Sequence, residues 1–172
     1  MAHIFHQLYY HITWATHSRD PLINRGWRAE MLLILGEEVN NRGGIAIRQN
    51  AMPDHVHLLL RLPPTVLISD FVGEIKGATA YRVNHQLSPK FKLRWQNGYG
   101  IVSLRREELD KVARYIDDQE EHHRKGKLSK ILETTEIIEK DWPSAMKSPL
   151  KGARVAKVRD PALKRWARQN TS

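Results

Sequence analysis

Two histidines one residue apart interrupt the apolar run MPDHVHLLLRL, residues 52–62. Side chains alternate across a strand, so His55, His57 and Leu59 share one face and Val56, Leu58 and Leu60 the other. Two imidazoles side by side on a rigid strand can hold a metal ion. The same spacing also suits two partly exposed histidines on the solvated face of an edge strand, and the pair alone does not separate the two readings. Asp54, just before the pair, suits a carboxylate that orients a ligand histidine or meets DNA. It equally suits a residue that only shapes the turn after Pro53.

A second group lies in RREELDKVARYIDDQEEHHRKG, residues 105–126, which reads as one helix stopped by Gly126. Leu109, Val112, Ala113 and Ile116 form its buried stripe. At about 100° per residue, Tyr115 and Gln119 stack one above the other at the edge of that stripe, and His122 continues the flank. A tyrosine there either tucks its ring under the core with its hydroxyl in water or offers that hydroxyl to chemistry. Taken with the histidine pair, Gln119 supplies a third, amide-oxygen ligand to a cation on His55 and His57. Imidazole with oxygen donors suits Mg²⁺ or Mn²⁺ and also accepts Zn²⁺, Co²⁺ or Ni²⁺. A phosphodiester on such a cation is polarised. The Tyr115 hydroxyl can attack its phosphorus and form a phosphotyrosine link. That link keeps the energy of the broken bond, so a second strand end can be joined without ATP.

The elements that must position these groups follow from pattern. Residues 5–16, aromatic and β-branched, read as a first strand, and residues 27–43 as a helix ended by Asn-Asn-Arg-Gly. Residues 44–52 and 55–62 read as two strands joined by a Met-Pro-Asp turn. Residues 63–87 read as a second helix, with Ser69 as its N-cap and Phe71, Val72, Ile75, Ala78 and Val83 facing inward. Residues 92–104 read as a fourth strand, bulged near Asn97-Gly98. The order β-α-β-β-α-β and then a helix is α+β. It fits a ferredoxin-like, RRM-like sandwich, in which two helices cover one face of an antiparallel sheet.

Composition narrows the rest. The 172 residues, 41% hydrophobic, suffice for one core with an appended tail, and there is no cysteine. Thiolate metal sites, iron–sulfur clusters, disulfides and cysteine nucleophiles are therefore excluded. The first residues lack the charge pattern of a signal peptide, and no apolar run is long enough for a bilayer. A soluble cytoplasmic protein with no membrane partner is the expectation. Lys and Arg number 28 against 19 Asp and Glu, a net charge of +9, which points to a polyanionic partner. The composition shifts near residue 127. One more helix is expected within residues 128–146, and residues 143–172 form a densely basic arm.

Together MPDHVHLLL and, about 60 residues later, YIDDQEEHH resemble the single-tyrosine HUH transposases. These are small enzymes of bacterial insertion sequences that move as single-stranded DNA, with REP-associated relatives. His55-Val56-His57 matches the family's histidine pair, and Tyr115 and Gln119 match its tyrosine and the metal-binding residue one turn on. YYHITWATHSRDPLI and LRWQNGYGIVSL resemble the family's first strand and loop and the strand before its catalytic helix. The likeness spans roughly residues 3–125. It implies a catalytic domain over residues 1–127 and an extension over 128–172, basic and partly helical or disordered, with no counterpart in the shorter members. It further implies a homodimer, binding of single-stranded DNA hairpins, a cut that leaves the 5′ end on tyrosine and a free 3′ hydroxyl, and a divalent metal. A catalytically idle or domesticated hairpin-binding regulator on the same fold is the alternative. Lys76, Arg82 and His85 suit either phosphate contacts or a solvated helix face. His122 suits a site neighbour or the helix end. His3, His6, His11 and His17 form no cluster in sequence.

Overall fold

The computed structural model describes residues 4–135. Its four strands are β1 (Tyr9–Ala15), β2 (Ile45–Met52), β3 (His55–Arg61) and β4 (Gly100–Leu104). They form one antiparallel sheet in the order β2-β3-β1-β4. Helix α1 (Arg28–Asn41) links β1 to β2, and α2 (Ile68–Arg82) lies between β3 and β4. This is the ferredoxin-like arrangement that the element order predicts: each strand–helix–strand unit straddles a strand of the other. Three shorter helices follow β4, namely α3 (Leu109–Asp117), α4 (Gln119–Lys125) and α5 (Lys130–Glu133). Among the described residues, no helix is long and apolar enough to cross a membrane.

Each face of the sheet has its own layer. On one, Ile12 and Trp14 of β1 and Val56, Leu58 and Leu60 of β3 pack against Met31, Leu35 and Val39 of α1 and Phe71, Val72 and Ile75 of α2. On the other, Leu59 packs against Val112 and Ile116 of α3 and Leu132 of α5. The buried stripe expected for the helix after β4 therefore settles on the sheet face that α1 and α2 leave free. α5, beyond the expected catalytic boundary at 127, packs with it. The basic arm, residues 143–172, lies outside the described residues.

Local departures have local causes. The expected strand over 92–104 is a ladder only from Gly100. Before it, Trp95 makes only an isolated bridge to Thr16, and the Lys76 ammonium collects the carbonyls of Gln96, Asn97 and Gly98 at 2.7, 3.3 and 3.0 Å. α2 starts at Ile68 with Leu67 as its cap, so Ser69 lies inside the helix and bonds Asp70 instead. After Arg82 the chain makes a π-helical turn, Val83–Leu87. The single helix expected over 105–126 is broken at Asp118. There Asn50 Nδ2 of β2 donates to the Ile116 carbonyl at 2.8 Å, the group that a continuous helix would offer to residue 120.

Candidate active site

β3 is an interior strand, and His55 and His57 are 2% and 0% exposed, so the solvated-edge reading of the pair is wrong. Strand alternation puts both rings under α3, α4 and α5, and each is held from behind. His55 Nδ1 lies 2.7 Å from Asp54 Oδ1, and Arg19 anchors the other Asp54 oxygen at 3.1 Å. Asp54 thus stands where a carboxylate that orients His55 would. Its hydrogen bond to His55 outweighs burial and holds its pKa at about 2. His57 Nδ1 lies 2.9 Å from Nε2 of His11, a residue the sequence left without a role. With His57 Nδ1–H donating to His11 and His55 Nδ1–H to Asp54, both Nε2 lone pairs are free. Neither Nε2 has a hydrogen-bond partner, although both are buried. Burial lowers the pKa of His57, and burial together with the charge of His57 lowers that of His11 to about 3. The His57 ring is therefore neutral near pH 7, the form in which imidazole binds a metal.

The two free nitrogens face a residue that the sequence did not single out. Glu133 Oε2 lies 3.5 Å from His55 Nε2, and Glu133 Oε1 lies 3.4 Å from His57 Nε2. Tyr115 donates its hydroxyl to the same Oε1 at 2.5 Å and accepts from the Ser129 amide at 3.0 Å. Burial and then the Glu133 hydrogen bond push Tyr115 up to about 12. Burial alone would raise Glu133, but the nearby His57 ring and the Tyr115 hydroxyl bring it down to about 2. The proton of this pair accordingly rests on the phenol. Gln119 is fully buried; its Nε2 donates to Glu133 Oε1 at 3.3 Å and its Oε1 has no partner. His122 stacks on the Tyr115 ring, with centroids 4.6 Å apart. Its neighbour His123 lies tilted against His55 with ring centroids 5.0 Å apart, its Nε2 without a hydrogen-bond partner.

Lys76, Arg82 and His85, suggested for phosphate contacts, each have partners within the chain. Lys76 is 7% exposed and spent on three backbone carbonyls; desolvation lowers its pKa to about 8. Arg82 pairs with Glu37 and Glu38 of α1 at 2.8 and 2.9 Å, so it ties α2 to α1. His85 stacks on Tyr81, away from the histidine pair.

The donor set fits a divalent cation. His55, His57 and Glu133 each offer a ligand atom, and these atoms all lie within 4.8 Å of one another. The unpartnered Nε2 atoms and Gln119 Oε1 are buried polar atoms of the kind that a bound ion satisfies.

Comparison with known proteins agrees with this arrangement. A family model described as "Transposase IS200 like" matches residues 4–119, a span that contains His55, His57, Tyr115 and Gln119 and ends before Glu133. The ISDra2 transposase TnpA of Deinococcus radiodurans is 31% identical over 121 residues, covering 66% of this chain and 85% of that protein. The transposase for insertion sequence element IS200 of Salmonella typhimurium is 27% identical over 136 residues, covering 76% and 89%. A crystal structure from Deinococcus radiodurans R1 superposes with a TM-score of 0.54 at 25% identity, covering 69% of this chain and 96% of that one. A REP-associated tyrosine transposase bound to a REP hairpin gives 0.51 at 17% identity, covering 72% and 74%.

Proposed function

We propose that this chain, which belongs to the IS200-like transposase family, cuts single-stranded DNA at hairpin-flanked ends and rejoins it through a 5′-phosphotyrosine link on Tyr115. One observation carries the reading: the free Nε2 atoms of His55 and His57 and the Tyr115 hydroxyl all face the Glu133 carboxylate. A divalent cation, Mg²⁺ or Mn²⁺, when held by His55 and His57 with Gln119 as a neutral oxygen donor, polarises the scissile phosphodiester and offsets its developing charge.

The residues of the chain do the rest. The Tyr115 oxygen attacks phosphorus, the bond from phosphorus to the 3′ oxygen breaks, and the phenol proton ends on the released 3′ hydroxyl. Attack by another strand's 3′ hydroxyl on the phosphotyrosine reverses the exchange and returns a proton to Tyr115. Asp54 and His11 keep the imidazoles in the tautomer that leaves Nε2 free. Stacking on His122 limits the swing of the Tyr115 ring. Tyr115 and His57 of one chain lie side by side, with ring centroids 6.3 Å apart. That proximity supports attack within one chain. The strand enters along a cleft of about 490 Å³ beside His123, lined by Arg25, Arg28 and Arg124. These arginines already pair with Glu120 and Glu121. Phosphates must compete with those carboxylates, which makes entry salt-dependent.

The test is covalent trapping. Incubation with labelled single-stranded hairpin DNA and Mn²⁺ is expected to give a denaturation-resistant adduct that maps to Tyr115. Hairpin binding without any adduct would leave an idle DNA-binding protein on the same fold.

A further inference from the structure

We infer that Glu133 is a ligand of the divalent cation held by His55 and His57, so that the segment after the tyrosine helix completes the metal site. The inference rests on the metal reading above and deepens it. It concerns a residue beyond the family match, which ends at residue 119.

Spacing is the first argument. A carboxylate hydrogen-bonded directly to an imidazole N–H closes to about 2.7–2.9 Å. The Glu133 oxygens instead stand 3.5 and 3.4 Å from the two Nε2 atoms. Donors about 2.1 Å from a shared ion are spaced about 3.0 Å apart in octahedral coordination and about 3.4 Å apart in tetrahedral coordination. The gap is thus longer than a direct charge-assisted hydrogen bond and near the spacing of two donors on one ion, with the three ligand atoms within 4.8 Å of one another. Both nitrogens are, moreover, buried without a hydrogen-bond partner and face the carboxylate.

The second argument is that the fold holds Glu133 in place from both sides. Gly126 takes φ 64°, a left-handed conformation that side chains disfavour, and ends α4 there. Ser129 donates its amide to the Tyr115 oxygen, and its Oγ caps α5 by accepting from the Leu132 amide. Leu132, next to Glu133, is buried against Leu59, Val112 and Ile116. On the other side, the Thr134 carbonyl crosses β4 at Gly100, where any Cβ would collide with it. A ligand must be fixed by its surroundings to hold an ion well. Four separate contacts fix this one. Gln119, whose Nε2 donates to Glu133, then acts partly by orienting that carboxylate.

Calorimetric titration of Mn²⁺ into the full chain without DNA, with Co²⁺ absorption as a second readout, tests the assignment. Glu133→Ala and the near-isosteric Glu133→Gln are expected to weaken Mn²⁺ binding at least ~10–100-fold, the range that even outer-sphere partners command. They should also change the intensity of the visible Co²⁺ bands, whereas Glu133→Asp retains part of the affinity and Gln119→Ala loses less. Urea denaturation in a chelator checks that each variant is folded. If wild type binds Mn²⁺, His57→Ala loses it, and Glu133→Ala binds as tightly as wild type or tighter, the ligand assignment is overturned while the metal reading stands. If wild type itself binds no Mn²⁺, the metal reading falls and takes the assignment with it.

Discussion

Val56, Leu58 and Leu60 of β3 point into the layer beneath α1 and α2, while His55, His57 and Leu59 point the opposite way, toward α3, α4 and α5. None of the six is more than 2% exposed, so the two faces are equally dry. They differ in what burial leaves undone. On the first face each side chain meets apolar neighbours, and what it contributes is volume and area removed from water. On the second, imidazole nitrogens with no partner sit beside a carboxylate and a phenol. Leaving such groups unpaired is costly, and a fold that keeps them has a use for them. Depth of burial alone does not separate packing from chemistry, and neither does a lone unpartnered atom, since Trp14 Nε1, Trp27 Nε1 and Thr79 Oγ1 on the first side also lack partners; the convergence of two imidazole nitrogens on one carboxylate and one phenol does.

The sharpest way to break the comparison is to remove one oxygen. Tyr115→Phe keeps the ring and should abolish the covalent adduct completely while folding, Mn²⁺ binding and hairpin binding persist. Phe variants of Tyr9, Tyr10, Tyr81 and Tyr99 should still form it. Peptide mass mapping of the adduct decides, and a phosphotyrosine at any other position would overturn the mechanism.

His55→Ala and His57→Ala should each reduce cleavage to background yet leave hairpin affinity nearly unchanged, because phosphate contacts elsewhere supply most of it. Full nicking by both variants in a gel assay would sink the metal-site assignment. Behind them, His11→Ala should weaken Mn²⁺ binding by about 10–100-fold through the lost partner of His57. His11→Gln, which can again accept from His57 Nδ1, should recover part of it. A merely space-filling role would give no such recovery.

The opposite face should answer in a different currency. Leu58→Ala is expected to cost about 2–5 kcal/mol of stability in urea denaturation. At a temperature where the variant stays folded, it should form the adduct at nearly the wild-type rate. A collapse of activity in the folded variant would mean that the two faces are not separable.

The smallest expected effect lies at the rim of that apolar layer. Burial tends to raise the Glu38 carboxyl, but hydrogen bonds from Arg82 and Arg42 outweigh it and lower its pKa below the ordinary carboxylate value of 4.5. A carboxyl with a depressed folded-state pKa binds fewer protons folded than unfolded. Its contribution is therefore complete above about pH 4.5 and is lost as pH falls through the folded value. The stability gap between wild type and Glu38→Gln should narrow on acidification from pH 6 to pH 3; a constant gap would count against the Arg82–Glu38–Arg42 cluster.

What could be read from the sequence was local or periodic. Period-two alternation placed His55 and His57 on one face, a 3.6-residue period set Tyr115 and Gln119 together at the edge of a stripe, and the order of elements implied the sheet. Each rests on residues within a few positions of one another, where backbone geometry alone fixes direction. One signal was present and unused: His11 and Thr13 are the polar members of an otherwise apolar strand, at the alternation that faces His57 once β1 pairs with β3. Tertiary structure decided the rest. Lys76 and Arg82 look like free cations on a helix, and only packing shows that one holds a loop and the other binds α1. No local pattern separates Glu133 from Glu136 or Glu139 in the same stretch. Its place beside His55 and His57 depends on the turn at Gly126, the anchor at Leu132 and the crossing at Gly100. Contacts between residues far apart in sequence arise from strand pairing and chain reversal, which act on the whole chain, so the residue types alone could suggest the chemistry while the fold chose which carboxylate and which imidazole took part.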